Sequence, residues 1–327
     1  FGSGGGDDTD FGDGGGFGGG IIFINVTNNF TIDGNISSNG GPTTRSDSGA
    51  GSGGSIWIIS DSFNGGGYLD ASGGEVSDGS CGDGSGGRIR TTYDSNNFNG
   101  IISLIGGRGA TLSSAGGFPH PGTYSFPDGN NLTVKGDMAL APGNYSIPYL
   151  NVTSGFTLDC QAVNTSDSEG YGAMINSVDM YIESNAIISS DHHGFKSNNG
   201  PGAGLPGITG DGGSYGGFGG DVSNISKIYG SFTWPISLGS AGGEDNNPTP
   251  RNNGGAGGGM VRLNVSNNLI LDGNITSFGR QAGSSAGAGS GGSILIVANN
   301  ISGEGNIMAN GGPSNAPSIN GAAEGGG

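Results

Sequence analysis

Cysteine, positive charge and long apolar runs are all scarce in this chain. Only 2 of 327 residues are cysteine, too few for a disulfide framework and too isolated, at Cys81 and Cys160, for a zinc site. A single bridge between them is considered, because Cys81 lies in a glycine-rich stretch and Cys160 ends the apolar run FTLDC; it requires Cα atoms within about 7 Å. Lys and Arg number 10 against 27 Asp and Glu, a formal charge of −17. That balance supplies no electrostatic footprint for nucleic acid or for an anionic membrane surface. No apolar run approaches the roughly 18 residues of a membrane span. The sequence opens without an initiator Met or a signal peptide, so targeting and anchoring segments are expected outside it. No segment of useful length carries the helical period.

Glycine is abundant, with 77 residues, over three times the usual share of about 7%. Such a composition argues for disorder unless a period is present. A period is present. GGGIIFINVTNNFTIDGNI, from Gly18, returns as GGGMVRLNVSNNLILDGNI, from Gly257, at an offset of 239 residues, and GSGGSIWII, from Gly51, returns as GSGGSILIV, from Gly289, at 238. The opening FGSGGG resembles Leu238–Gly243, and the closing GAAEGGG stops where GDGSGGRIR, from Gly82, continues into its next apolar run. The chain therefore reads as one and a third copies of a large repeat, and arrays of this kind usually build or bind rather than catalyse.

A smaller period lies inside the large one. Ile22, Ile56 and Ile89 are separated by 34 and 33 residues, and Val261 and Ile294 by 33. Each unit holds an apolar run (IIFINV), an Asn-Asn corner, a second run (FTIDG), a short third run (NISSN) and a glycine-rich excursion. Three strands and three corners per coil predict an all-β right-handed parallel β-helix, with Ile22, Ile24, Ile56, Ile58, Ile89, Val261, Leu263, Ile294 and Ile296 stacked inward. Asn and Gly at the corners tolerate the left-handed backbone that sharp turns use. An antiparallel glycine-rich sandwich is the alternative, weakened by the absence of hairpin alternation. The expected organisation is residues 1–20 as a glycine-rich loop of a preceding repeat, 21–194 as coils, 195–259 as an excursion packed on the helix, and 260–327 as coils of the next repeat. In that excursion Tyr215, Phe218, Tyr229, Phe232 and Trp234 are too many for a purely solvated linker.

The series GGSIWI, LDASGG, GGRIRTTY, FNGIISLIGG, GGMVRLNV, LDGNI and GGSILIV resembles the glycine-rich β-helix repeats of large cell-surface proteins, including adhesins and the bacterial polymorphic outer-membrane proteins. The FxxN partner motif of the latter is not regularly present. The resemblance implies a β-helix in an extracellular setting and transfers no catalytic residue.

The strongest chemical signal is a set of eleven N-x-[ST] sequons, at Asn25, Asn29, Asn35, Asn131, Asn144, Asn151, Asn164, Asn224, Asn264, Asn274 and Asn300. Random placement gives roughly six, and the acceptors recur at matching repeat positions. The competing explanation is that Asn, Ser and Thr are simply favoured at corners. N-glycans on these corners would keep sheets from associating sideways. Asp7, Asp8, Asp10 and Asp13 could surround calcium, yet match no EF-hand or nonapeptide spacing and read better as a solvated acidic loop. His192 and His193, adjacent at a strand end, point to opposite faces and suit one metal poorly. No catalytic or cofactor-binding residue is assigned. β-Helix polysaccharide lyases and hydrolases need clustered carboxylates on one strand face, whereas Asp33 and Asp272 are explained as corner residues. P-loop and Rossmann readings fail because the glycine runs precede strands. The sequence thus points to a structural subunit of an extracellular glycoprotein fibril, comparable to an algal mastigoneme, that self-associates head-to-tail. An adhesin or glycan-binding module is the alternative.

Overall fold

The computed structural model describes residues 1–6, 14–43, 48–76, 81–107, 120–163, 171–220, 227–246, 253–283, 285–313 and 325. Among them every regular element is a β-strand, and no helix is long and apolar enough to cross a membrane. The chain forms two compact units, residues 1–140 with 156–158, and residues 141–155 with 159–327.

In the first unit β1 (Ile21–Asn25), β2 (Asn29–Thr31) and β3 (Asn35–Ser37) make one coil. The next is β4 (Ser55–Ile59), β5 (Ser62–Gly65) and β6 (Tyr68–Asp70), and the third is β7 (Arg88–Thr92), β8 (Ser95–Phe98) and β9 (Ile101–Ser103). Corresponding strands pair in parallel, Ile22 with Ile56 and Ile56 with Ile89, then Asn29 with Ser62 and Ser62 with Ser95, then Asn35 with Tyr68 and Tyr68 with Ile101. This is a parallel β-solenoid. β10 (Thr123–Ser125) continues the first ladder onto β7, and β12 (Met138–Leu140) pairs with β10; β11 (Leu132–Val134) lies between them in sequence.

The second unit repeats the scheme. β13 (Gly143–Ser146) and β14 (Tyr149–Val152) lie under β17 (Tyr171–Ser177) and β18 (Asp179–Ile182), which in turn lie under the long β20 (Met260–Leu271) and then β22 (Ser293–Ser302). β19 (Ile187–Ser189), β21 (Asn274–Thr276) and β23 (Asn306–Met308) form the third ladder. β15 (Thr157–Cys160) is divided between the units, and β16 (Ala162–Val163) pairs antiparallel with β17.

The inward ladders are those expected. Ile56, Ile58, Ile89, Val261 and Leu263 are fully buried, while Ile22, Ile24, Ile294 and Ile296 are half-buried because, among the described residues, β1 and β22 each pair on one side only. Above Ile58 the ladder takes Thr91, whose Oγ1 lies 2.9 Å from the Tyr124 hydroxyl. Burial pushes the neighbouring Tyr93 phenol from 10.0 up to about 12, only partly offset by its hydrogen bonds.

The corners differ from expectation. No residue of the Asn28–Asn29 or Asn267–Asn268 corners is left-handed; the left-handed positions include Gly65 and Gly303, equivalent in the two repeats, at φ +109° and +114°. The Asn-Asn corners are held instead by hydrogen bonds. Asn28 O accepts from Asp61 N and Ser62 N, and Asp179 Oδ1 accepts from Asn268 N and from both corner amides.

The larger difference concerns the glycine-rich stretches, expected as loops. Each described one leaves the coil after its third strand and returns before the next coil, so residues 38–43 and 48–54 are outgoing and returning legs, as are 71–76 and 81–87. Along the leg from Gly49 to Gly54, successive N–H groups donate to Gly6, Gly82, Gly41, Ser3, Ser85 and Ser38. Three neighbouring legs are addressed in rotation and the cycle repeats every three residues, which is the period of a polyproline-II helix, whereas strands address two neighbours. The legs form a hydrogen-bonded polyglycine-II bundle beside the β-coils. Glycine is required there by close approach. A Cβ on Gly84 would lie 1.9 Å from Gly51 O, and one on Gly51 would lie 2.1 Å from Phe17 O.

Three outcomes are expected. Gly84→Ala costs about 1–3 kcal/mol, as overpacking does, whereas Gly82→Ala on the same leg, with nothing within 4 Å of its Cβ, stays within about 0.5 kcal/mol. Ile58→Ala costs about 2–5 kcal/mol. Denaturant midpoints of the purified variants check both statements. The third is alkaline sensitivity. Because the Tyr93 pKa is raised in the folded state, its share of stability is intact below pH 10 and lost as pH rises toward 12, a loss that Tyr93→Phe removes in a pH series of thermal melts.

Candidate functional site

Eight of the nine described acceptor asparagines lie in strands of the coils, and Asn131 immediately precedes β11. Asn25, Asn29, Asn35, Asn131, Asn144, Asn264 and Asn300 are exposed, Asn151 and Asn274 are half-buried, and Asn164 and Asn224 lie outside the described residues. Asn25 and its repeat equivalent Asn264 are both exposed at the end of their apolar run. The sequons therefore face solvent in the main, as a glycosylated surface requires.

Several of these side chains also join outward amide ladders. Asn264 Nδ2 donates to Asn176 Oδ1 at 3.2 Å and Asn176 Nδ2 donates to Asn144 Oδ1 at 2.5 Å, along the parallel register of β13, β17 and β20. Asn306 donates to Asn274 and Asn300 to Asn268 in the same way. An N-linked sugar replaces one of the two Nδ2 hydrogens, so a donor in such a ladder keeps its bond and an acceptor, using Oδ1, is untouched. Asn151 is different. Its Nδ2 donates to Glu183 Oε1 at 3.1 Å, and its Oδ1 is buried without a hydrogen-bond partner.

Asp33 and Asp272, considered for chemistry, hold backbone, and so does Asp191. Asp33 Oδ1 accepts from Gly66 N, one coil along, and Asp272 Oδ1 accepts from Glu304 N at the equivalent place in the second repeat. Asp191 accepts from Phe278 N at 2.6 Å and from Thr276 Oγ1 at 3.0 Å, while burial holds its carboxyl above the usual range. His192 is left-handed, at φ +63°, and His193 Nε2 lies 2.9 and 2.8 Å from the two oxygens of the buried Asp159. Asp7, Asp8, Asp10 and Asp13 lie outside the described residues, so the calcium expectation is not addressed. Cys160 carries a free thiol, fully buried, whose pKa burial pushes up, and Cys81 is half-buried. The Cys81–Cys160 bridge is therefore not formed among the described residues; Cys160 serves as a small apolar core residue, which its position at the end of FTLDC allows equally well.

The excursion aromatics divide. Tyr215 is buried, edge-on to Tyr229 at 4.9 Å, with its hydroxyl 2.6 Å from Ser293 Oγ on β22. Tyr229 donates to Leu238 O and accepts from Ser240 Oγ. The Trp234 ring lies 5.2 Å from the Arg262 guanidinium, whereas Phe218 and Phe232 are exposed. In the first unit a second outward aromatic group is bare. Phe23, Trp57 and Arg90 stand in register on β1, β4 and β7, with Phe23 and Trp57 centroids 5.0 Å apart and the Arg90 guanidinium 5.4 Å from the indole. Sequence reasoning passed over this group; an aromatic at the middle, outward position of both IIFIN and SIWII was the available signal.

No family model, curated protein or solved structure matches the chain. What it does must be read from these surfaces.

Occupancy should follow exposure. In protein from its natural source, glycopeptide mass spectrometry is expected to find sugar at Asn25, Asn29, Asn35, Asn131, Asn144, Asn264 and Asn300 and none at Asn151. Bare asparagine at the majority of the exposed positions would overturn the glycosylated-surface reading.

Proposed function

We propose that the chain is part of a structural glycoprotein, a fibril or surface appendage of the cell exterior built from tandem β-solenoid repeats of about 239 residues. One observation carries the reading. β20 begins the second copy of the repeat, yet it sits on β17 with the same parallel ladder that joins β1 to β4, Ile175 facing Leu263 as Ile22 faces Ile56. Crossing from one repeat to the next costs no break in strand pairing or in the apolar column, so copies can follow one another without limit. The half-buried rungs at β1 and β22 have the same chemistry and accept further coils. The role is mechanical rather than catalytic, self-association is head-to-tail, and N-glycans on the exposed corners oppose lateral sheet pairing.

Electron microscopy of the native material tests this. Filaments with an axial period set by the large repeat are expected; monodisperse particles of single-chain mass would refute the proposal. Enzymatic deglycosylation should leave the far-ultraviolet circular dichroism and the melting temperature nearly unchanged while increasing light scattering, because the core is buried by the coils themselves. The Phe23–Trp57–Arg90 group favours one competing reading, a glycan-binding module, since sugars stack on exposed indoles. Oligosaccharides that shift the Trp57 fluorescence at micromolar concentration would support that alternative.

A further inference from the structure

The acceptor asparagines keep a spacing that the sequons by themselves do not require. Among the described residues, none of the eight carried by strands pairs with another acceptor one coil away. Three of them do pair with an asparagine, Asn264 with Asn176, Asn300 with Asn268 and Asn274 with Asn306. Each of those neighbours lacks the hydroxyl residue two places on, where Val178, Ile270 and Met308 stand instead. Packing does not demand hydrocarbon at the first two, since Val178 is 47% and Ile270 40% exposed.

The two copies of the repeat reach this spacing in opposite ways. In the first, the acceptor of the second ladder is Asn29 on β2, whose sequon is completed by Thr31, and Asn29 faces Ser62 on β5. In the second copy the equivalents of Asn29 and Ser62 are Asn268 and Asn300, and they face each other in the same way. There the sequon belongs to Asn300, completed by Ser302 where the first copy has Asn64, while Asn268 is followed by Ile270 where the first copy has Thr31. The acceptor stands one coil further along, and the place it would share is closed. Thr31 and Ile270 are both exposed, so the exchange of hydroxyl for hydrocarbon serves no core.

Geometry supplies the reason. Paired strands lie about 4.8 Å apart, and amides on adjacent rungs are in direct contact. Asn300 Nδ2 lies 3.2 Å from Asn268 Oδ1, Asn264 Nδ2 3.2 Å from Asn176 Oδ1, and Asn306 Nδ2 3.0 Å from Asn274 Oδ1. Sugars rooted on both amides of such a pair would start within van der Waals reach of each other and compete for the same space. We propose that N-glycans never occupy adjacent coils of one column, and that Asn176, Asn268 and Asn306 are bare spacer rungs, each bonded through its own amide to the sugar-bearing asparagine beside it. Every sugar then has the height of two coils to itself. This inference rests on the glycoprotein reading for the presence of the sugar.

The test secretes the full chain from a host that performs N-glycosylation and counts sugars by intact mass and by glycopeptide mass spectrometry. Ile270→Thr turns Asn268 into an acceptor directly beside Asn300, and Ile270→Thr with Ser302→Ala makes Asn268 the acceptor of that pair in place of Asn300. The double variant is expected to carry its sugar at Asn268, as the first copy carries its own at Asn29. The single variant is expected to gain no sugar over the unsubstituted chain, occupancy of Asn300 falling by as much as Asn268 gains. Should both sites fill, a melting temperature several degrees below that of the double variant supports the proposal, because the crowding then appears as strain. Both sites filled with the melting temperature of the double variant overturns it. So does Asn268 left bare in the double variant, which assigns its vacancy to the glycosylating enzyme, or Asn300 left bare in the unsubstituted chain. The host supplies the sugar, so the spacing rule can stand where native material proves bare and can fail where native material proves glycosylated.

Discussion

Backbone carbonyls lie where side chains would otherwise stand. At Gly51, Gly53 and Gly54 on the returning leg, and at Gly5, Gly40 and Gly84 on the legs around it, a neighbouring carbonyl oxygen lies about 2 Å from where a Cβ would stand, so the legs approach closely enough for their N–H groups to bond directly to one another. A buried amide without a partner is costly, and in this bundle the main chain satisfies its own hydrogen bonds with little help from side chains. The β-coils depend on it. The first two coils of the first unit send the chain out and back, through residues 38–43 with 48–54 and 71–76 with 81–87, before the next first strand, so the packing of the legs returns Ile22, Ile56 and Ile89 to one column.

The columns were legible in the sequence because a parallel coil repeats its chemistry at fixed intervals. The steps from Ile22 to Ile56 to Ile89 give the register directly, and the 239-residue offset identifies β20 with β1. The legs were not legible for a related reason. Gly-Ser-Gly-Gly carries no apolar periodicity, and the threefold hydrogen-bond rotation of residues 49–54 depends on which legs surround them, information that no local pattern contains. The Asn-Asn corners show a subtler failure. Asn28 and Asn29 were assigned the backbone that asparagine tolerates, but the carbonyl of Asn28 and the carboxylate of Asp179 show that corners are fixed by bonds to adjacent coils.

At the candidate surfaces, sequence identified the acceptor asparagines but not their surroundings. Nothing local marks Asn151 as tied to Glu183 or Asn264 as a rung of an amide ladder, because both partners lie one coil away in space and 32 and 88 residues away in sequence. The same holds for the Phe23–Trp57 pair, whose rings meet only because β1 and β4 pair in register.

The bundle also gives the molecule an unusual thermal character. Melting a hydrocarbon core raises the heat capacity by about 0.45 cal/mol/K per Å² exposed, while exposing polar backbone lowers it by about 0.26. The Ile, Val and Leu columns belong to the first kind of surface and the glycine legs, which bury amides and almost no hydrocarbon, to the second. The two contributions oppose each other. A flat stability curve follows, with the legs retaining their hold at low temperature, where apolar burial weakens.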